Sequence, residues 1–123
     1  MGPSAKVFLK SELTDRLAIQ VDAEICALAT KVIPSRKGRD WQIWVDATEE
    51  DHSSPIHIHL YETSKTLLHC EDELIDLEKE PAELPSYLVL SAGCNQLIDR
   101  QILERVIATL AQNLDGIATE PTK

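Results

Sequence analysis

Residues 86–116 constrain the fold more than any other stretch, because they combine a strand, a tight corner and one long helix. An apolar run at 87–90 leads into small residues at 91–95, where Asn95 is placed to cap the helix that follows. Gly116 is placed to end that helix in a left-handed conformation, and residues 117–119 then predict either a short edge strand or a frayed tail. The apolar residues of the helix recur at spacings of three and four, which predicts one buried face: Ile98, Ile102, Leu103, Val106, Ile107, Leu110 and Leu114.

The first third of the chain predicts a strand followed by a second core helix. Residues 6–10 are short and apolar with an alternating pattern, as in a strand. Thr14 is a suitable N-cap, and Pro34 is expected to stop the helix. We also expect Cys26 to lie in the core. The helical stripe is traced by Leu17, Val21, Ile25, Leu28 and Val32.

Two further segments alternate between apolar and polar residues and predict antiparallel strands. In residues 41–45 the alternation separates Trp41, Ile43 and Val45 from Gln42 and Trp44, and residues 56–61 alternate in the same way. If the isoleucines of the second strand pack beneath the helices, the opposite face of the sheet is a candidate contact surface. That face would carry Trp44, His57, His59 and Tyr61.

Residues 63–84 predict a strand at 65–69 and a short acidic helix at 71–77, which Pro81 and Pro85 bring to an end. The length of 123 residues fits a single domain spanning 1–123. The sequence therefore predicts an α+β domain with a single, mostly antiparallel sheet of four or five strands and two long helices packed on one face.

The negative charge is concentrated in the middle of the chain. The whole chain carries a formal net charge of −9, yet residues 46–83 alone hold twelve acidic and two basic residues. A protein of this charge is poorly suited to bind nucleic acid or an anionic membrane, so we expect a basic partner. The alternative is a solvated acidic face with no partner.

Cellular location is indicated by two weaker signals. Three cysteines, an odd number without metal-ligand spacing, fit a reducing compartment better than a disulfide framework. The first residues lack the basic and apolar regions of a secretory signal. We therefore expect a cytoplasmic protein.

Two chemical alternatives stay open beside protein binding. His57 and His59 would project to one side of a strand and could share a metal ion, with His52, His69 or Cys70 as further ligands. Cys94 would precede a helix N-terminus, which favours the thiolate, so a small enzyme with Cys94 as nucleophile is the other alternative. Neither set is complete, and the sequence predicts no cofactor, no metal and no catalytic residue.

The order of elements resembles a group of small bacterial proteins similar to the immunity proteins encoded beside polymorphic toxins. The resemblance is carried by residues 88–95, the helix that ends at Asp115 and Gly116, the strand at 41–45 and the acidic run at 71–76. It implies a protein that binds and neutralises a cognate toxin domain without catalysis. The expected partner-binding residues are Trp44, Glu49, Glu50, Asp51, His57, His59, Tyr61, Glu71, Asp72, Glu73 and Asp76.

Overall fold

The protein is one antiparallel sheet with two long helices on one face and a short helix on the other. The computed structural model describes residues 4–34, 39–45, 55–92 and 97–119. The strands are β1 (Ser4–Leu9), β2 (Lys31–Pro34), β3 (Asp40–Trp44), β4 (Ile56–Glu62), β5 (Ser86–Ala92) and β6 (Ile117–Ala118). The helices are α1 (Asp15–Leu28), α2 (Glu71–Asp76) and α3 (Leu97–Asn113).

The sheet has six strands in the order β2-β3-β4-β5-β1-β6, and every neighbouring pair is antiparallel. Strands β2 to β5 form a meander. Strand β1 lies between β5 and β6, so α3 connects two strands, β5 and β6, that lie on either side of β1. The α+β class and the mostly antiparallel sheet are thus confirmed, with six strands in place of the four or five expected.

The main core lies between the sheet and the helices α1 and α3. Thr14 caps α1 as predicted, because its Oγ1 accepts a hydrogen bond from the Leu17 amide at 3.2 Å. The helical side of this core is formed by Leu17, Val21, Ile25, Leu103, Val106, Ile107 and Leu110. The strand side includes Trp41, Ile43, Val45, Ile56, Ile58 and Leu60, so the alternation seen in the sequence has its predicted orientation.

The predicted first helix was too long. It ends at Leu28, and Val32 belongs to the edge strand β2, where it pairs with Ile43. Thr30, Val32 and Ile33 are β-branched and favour a strand, and Pro34 is tolerated at the end of an edge strand. The apolar stripe was misleading because Val32 can pack against the same core whether it lies on a helix or on a strand.

The strand predicted at 65–69 is wrong. The chain forms two 3₁₀ turns there, Thr63–Lys65 and Leu67–His69, before α2 begins. Thr63 is fully buried and turns the chain off the sheet, since its Oγ1 donates to the Leu84 carbonyl at 2.6 Å and its amide to the Pro85 carbonyl at 2.9 Å. The short acidic helix expected next is confirmed as α2.

Two expectations about single residues need correction. Cys26 is exposed on α1, because the buried face of that helix is the one through Val21 and Ile25. At the end of α3 the left-handed residue is Asp115, with φ 53°, while the Gly116 amide donates to the Ala111 carbonyl at 2.8 Å. Residues 93–96, which include Asn95, lie outside the described residues.

Candidate functional site

The candidate site lies on the outer face, which we define as the face of the sheet turned away from α1 and α3. Cross-strand pairing aligns His57 with Gln42, and Lys31 with Trp44, so these side chains share that face. His59 and Tyr61 follow on the same side of β4 because they lie two and four residues after His57. The predicted group of Trp44, His57, His59 and Tyr61 is therefore brought together on one surface.

The covering segment, residues 63–84, packs on part of the outer face. Its α2 residue Leu74 is buried against Phe8 and Tyr87, which lie on β1 and β5. Lys6 of β1 forms an ion pair with Glu73 of α2. The segment thus covers the β5–β1 half of the face, and none of the described elements covers the β2–β3–β4 half, which we call the open half.

Four of the predicted acidic residues, Glu71, Asp72, Glu73 and Asp76, lie on α2 and hence on the same side of the sheet as the aromatic group. Acidic side chains in a first turn also interact favourably with the helix dipole. Glu49, Glu50 and Asp51 lie outside the described residues.

A row of rings crosses the outer face from the open half into the core beneath the covering segment. His59 and Tyr61 are stacked with centroids 6.0 Å apart, Tyr61 and Tyr87 lie 5.6 Å apart, and Tyr87 and Phe8 lie 5.4 Å apart. Tyr61 is 38% exposed, whereas Tyr87 and Phe8 are buried. An exposed ring supported in this way is held rigidly, which reduces the entropy lost when a partner packs on it.

Hydrogen bonds tie the covering segment to this row. The Tyr87 hydroxyl donates to Thr66 Oγ1 at 2.7 Å, and Thr66 Oγ1 donates to the Glu62 carbonyl at 2.8 Å. Burial raises the pKa of the Tyr87 hydroxyl, so the group stays protonated as a donor. Where the open half meets the covering segment, Tyr61, Thr66 and Tyr87 line a junction cavity of about 380 Å³.

The open half also carries groups that can accept and donate hydrogen bonds. His59 Nδ1 lies 3.7 Å from Asp40 Oδ2, and Lys31 Nζ lies 4.8 Å from the centre of the Trp44 ring system. Asp40 Oδ1 is buried and has no hydrogen-bond partner among the described residues.

The chemical alternatives gain little from this geometry. In the described part of the chain, no three histidine, cysteine or acidic side chains converge on a point that could hold a metal. Cys70 is buried, which raises the pKa of its thiol, and its Sγ donates to the Thr66 carbonyl at 3.6 Å. His52 and the predicted nucleophile Cys94 lie outside the described residues.

Sequence reasoning missed Lys6, Asp40 and the large exposed apolar side chains of the covering segment. The contact of Asp40 with His59 depends on the β3–β4 register, and the pairing of Lys6 with Glu73 joins residues 67 positions apart. An alternating pattern gives the face of a residue but not its neighbour on the next strand.

The fold and the site define a class: a small antiparallel α+β protein with helices on one face and a half-covered polar and aromatic face on the other. Residues 1–120 match a family of unknown function, DUF6368, and the chain belongs to that family. No curated protein and no solved structure matches the chain with significance. Among the described residues, no helix is both long and apolar enough to cross a bilayer.

Proposed function

We propose that this protein is an immunity-type binding module that neutralises a cognate bacterial toxin domain through its outer face. The observation that carries the proposal is the placement of two unrelated sets of side chains on one side of the sheet. The exposed Tyr61 and the half-buried Trp44, His57 and His59 lie on the open half, and the acidic residues of α2 lie on the covering segment beside it.

The two sets have complementary physical roles. The carboxylates of α2 attract a basic surface and accelerate the encounter, while a rigid exposed ring such as Tyr61 contributes contact area after docking. Toxin domains that act on nucleic acids need basic clefts to hold phosphates, and an acidic protein can occupy such a cleft. This chemistry requires no cofactor and no catalytic residue.

The partner is tested by co-expression with the toxin domain encoded in the adjacent reading frame. We expect the protein to rescue growth and to co-purify with that domain as a stable complex. A toxin domain that stays active in the presence of excess protein, or an adjacent frame without such a domain, would contradict the proposal.

The acidic surface is tested by removing two charges at a time. Asp72→Asn with Asp76→Asn removes two exposed charges from α2. The control, Glu24→Gln with Glu104→Gln, removes one half-buried and one exposed charge from the opposite helical layer, and a glutamine at position 24 keeps an acceptor for the Asn113 amide. We expect the α2 pair to slow association with the toxin domain several-fold more than the control, and the difference to shrink in high salt. Equal effects of the two pairs would rule out steering by α2.

A further inference from the structure

The covering segment is attached to the protein as a long hairpin loop. The strands before and after it, β4 and β5, pair directly with each other as far as Glu62 and Ser86. At its base, Thr63 donates hydrogen bonds to the carbonyls of Leu84 and Pro85, so the two ends of the segment are tied together. All of residues 63–84 are described and none belongs to a strand, so the segment can leave the outer face without breaking any strand pairing.

Little apolar surface holds the segment on the sheet. It buries Cys70, Leu74 and Leu84 in a cluster with Phe8 and Tyr87, and this cluster is separate from the main core under α1 and α3. Because Leu84 lies at the base, only Cys70 and Leu74 anchor the body of the segment. Its other large apolar side chains are partly buried or exposed: Leu67, Leu68, Ile75 and Leu77.

Two polar contacts also connect the segment to the sheet. Glu73 pairs with Lys6 of β1, and Thr66 Oγ1 accepts a hydrogen bond from the Tyr87 hydroxyl of β5 at 2.7 Å. The side chains of Lys6 and Glu73 are 20% and 31% exposed, so solvent screens their attraction. Water can replace both contacts when the segment moves away, and each therefore adds little net stability to the closed arrangement.

Cavities lie on two sides of the segment. The junction cavity, of about 380 Å³, lies between its 3₁₀ turns and Tyr61 of β4. The base cavity, of about 490 Å³, lies between Leu13, which follows β1, and Pro81 and Pro85 near the end of the segment. The walls of a cavity do not pack on each other, so the segment contacts the rest of the protein over a limited area.

We propose that the covering segment opens as a unit while the sheet and the main core stay folded, and that opening uncovers the β5–β1 half of the outer face. Local opening is characteristic of segments held by few buried apolar contacts. In the open state the rings of Phe8 and Tyr87 become accessible and extend the row that His59 and Tyr61 begin. The outer face thus has two states that differ in apolar area and in the position of the α2 carboxylates, whether or not it binds a toxin domain.

Cys70 reports the opening, because it lies on the segment and is fully buried while the segment is closed. Its alkylation by iodoacetamide is followed by peptide mass spectrometry at increasing urea concentrations, and the exposed Cys26 is the internal control. We expect Cys70 to be alkylated through an opening that depends on urea much more weakly than global unfolding does, since little surface is exposed. A urea dependence equal to that of global unfolding would overturn the proposal.

Two variants separate local opening from global unfolding. Leu74→Ala truncates an anchor of the segment, and Ile25→Val removes one methyl group from the main core, where Ile25 is fully buried. We expect Leu74→Ala to accelerate alkylation of Cys70 about tenfold or more, and Ile25→Val to leave it unchanged although it lowers global stability. Acceleration by Ile25→Val in proportion to its effect on global unfolding, or no acceleration by Leu74→Ala, would overturn the proposal.

Amide hydrogen exchange of the unmodified protein locates the hinge. The Leu74 amide donates to the Cys70 carbonyl within the segment at 3.1 Å, whereas the Thr63 amide donates to the Pro85 carbonyl at its base at 2.9 Å. A six-residue helix is not stable once it leaves the sheet. We therefore expect the Leu74 amide to exchange through the local opening and the Thr63 amide only through global unfolding. Equal protection of the two amides would overturn the proposal, because the segment would then not open separately from the sheet.

Discussion

Glu78 and Asp115 are the described non-glycine residues with a positive φ, and each follows a helix. The end of α2 is a Schellman motif, since the Lys79 amide donates to the Leu74 carbonyl and the Glu78 amide to the Ile75 carbonyl, both at 3.0 Å. Glycine would adopt this conformation without the steric cost that glutamate bears.

We therefore expect Glu78→Gly to raise the free energy of unfolding by about 0.5–1 kcal/mol, the cost of a left-handed residue with a Cβ less the extra chain entropy of glycine. Chemical denaturation measures the change. Glu80→Gly, at a position without positive φ, is the control and should be neutral or destabilising. Destabilisation by Glu78→Gly would show that the glutamate side chain stabilises the fold by more than its backbone costs.

Gly116 is required by close packing. A Cβ at this position would lie 2.8 Å from the Phe8 carbonyl oxygen and 2.8 Å from Val7 Cγ1. Because the first contact is with the backbone of the interior strand β1, it is not relieved by a side-chain rotation. We expect Gly116→Ala to lower the free energy of unfolding by about 1–3 kcal/mol, measured by thermal or chemical denaturation. An unchanged stability would mean that the connection between α3 and β6 shifts freely.

At the scale of elements, α2 is attached to the sheet by a small apolar cluster and by the ion pair between Lys6 and Glu73. Burial raises the pKa of Glu73, but the hydrogen bond and attraction from Lys6, together with a backbone hydrogen bond, outweigh it and hold that pKa below its ordinary value. A carboxyl whose pKa is lower in the folded state stabilises the fold above its unfolded-state pKa. That stabilisation is lost as the pH falls through the folded-state pKa.

Glu73→Gln should therefore lower the free energy of unfolding by about 0.5–1 kcal/mol near neutral pH. The difference from the unmodified protein should vanish in strongly acidic solution, where Glu73 is protonated. The control is Glu71→Gln in the same first turn, which shares the helix-dipole effect but is not paired with Lys6. Denaturation curves at several pH values measure both variants, and a pH-independent difference would contradict the ion-pair account.

A local sequence pattern was sufficient to predict some of these elements and not others. The strands at 41–45 and 56–61 were predictable with their facing residues because alternation alone decides which side chains are buried. Val32 could not be assigned in this way, since a residue after Leu28 reaches the same core from a helix or from an edge strand. The strand predicted at 65–69 is wrong for a different reason. The buried Thr63 turns the chain through its hydrogen bonds to residues 84 and 85, and these contacts are long-range.

For the whole molecule, the sheet separates two surfaces of different character. The helical face is closed by α1 and α3, whereas the outer face is half covered and carries the predicted residues Trp44, His57, His59 and Tyr61. The alternation in the sequence predicts that these four side chains share a face. It does not predict that α2 lies beside them, because the position of α2 depends on the path of residues 63–84 across β5 and β1.

The central claim is that binding occurs on the outer face, and two exposed apolar residues on opposite sides of the sheet allow a matched test. Tyr61 is 38% exposed on β4, and Ile19 is 70% exposed on α1. The measurement is the affinity of Tyr61→Ala and Ile19→Ala for the cognate toxin domain. The account predicts about a tenfold or greater loss for Tyr61→Ala, as for an aromatic anchor, and no change for Ile19→Ala; a loss for Ile19→Ala with unchanged binding by Tyr61→Ala would contradict it.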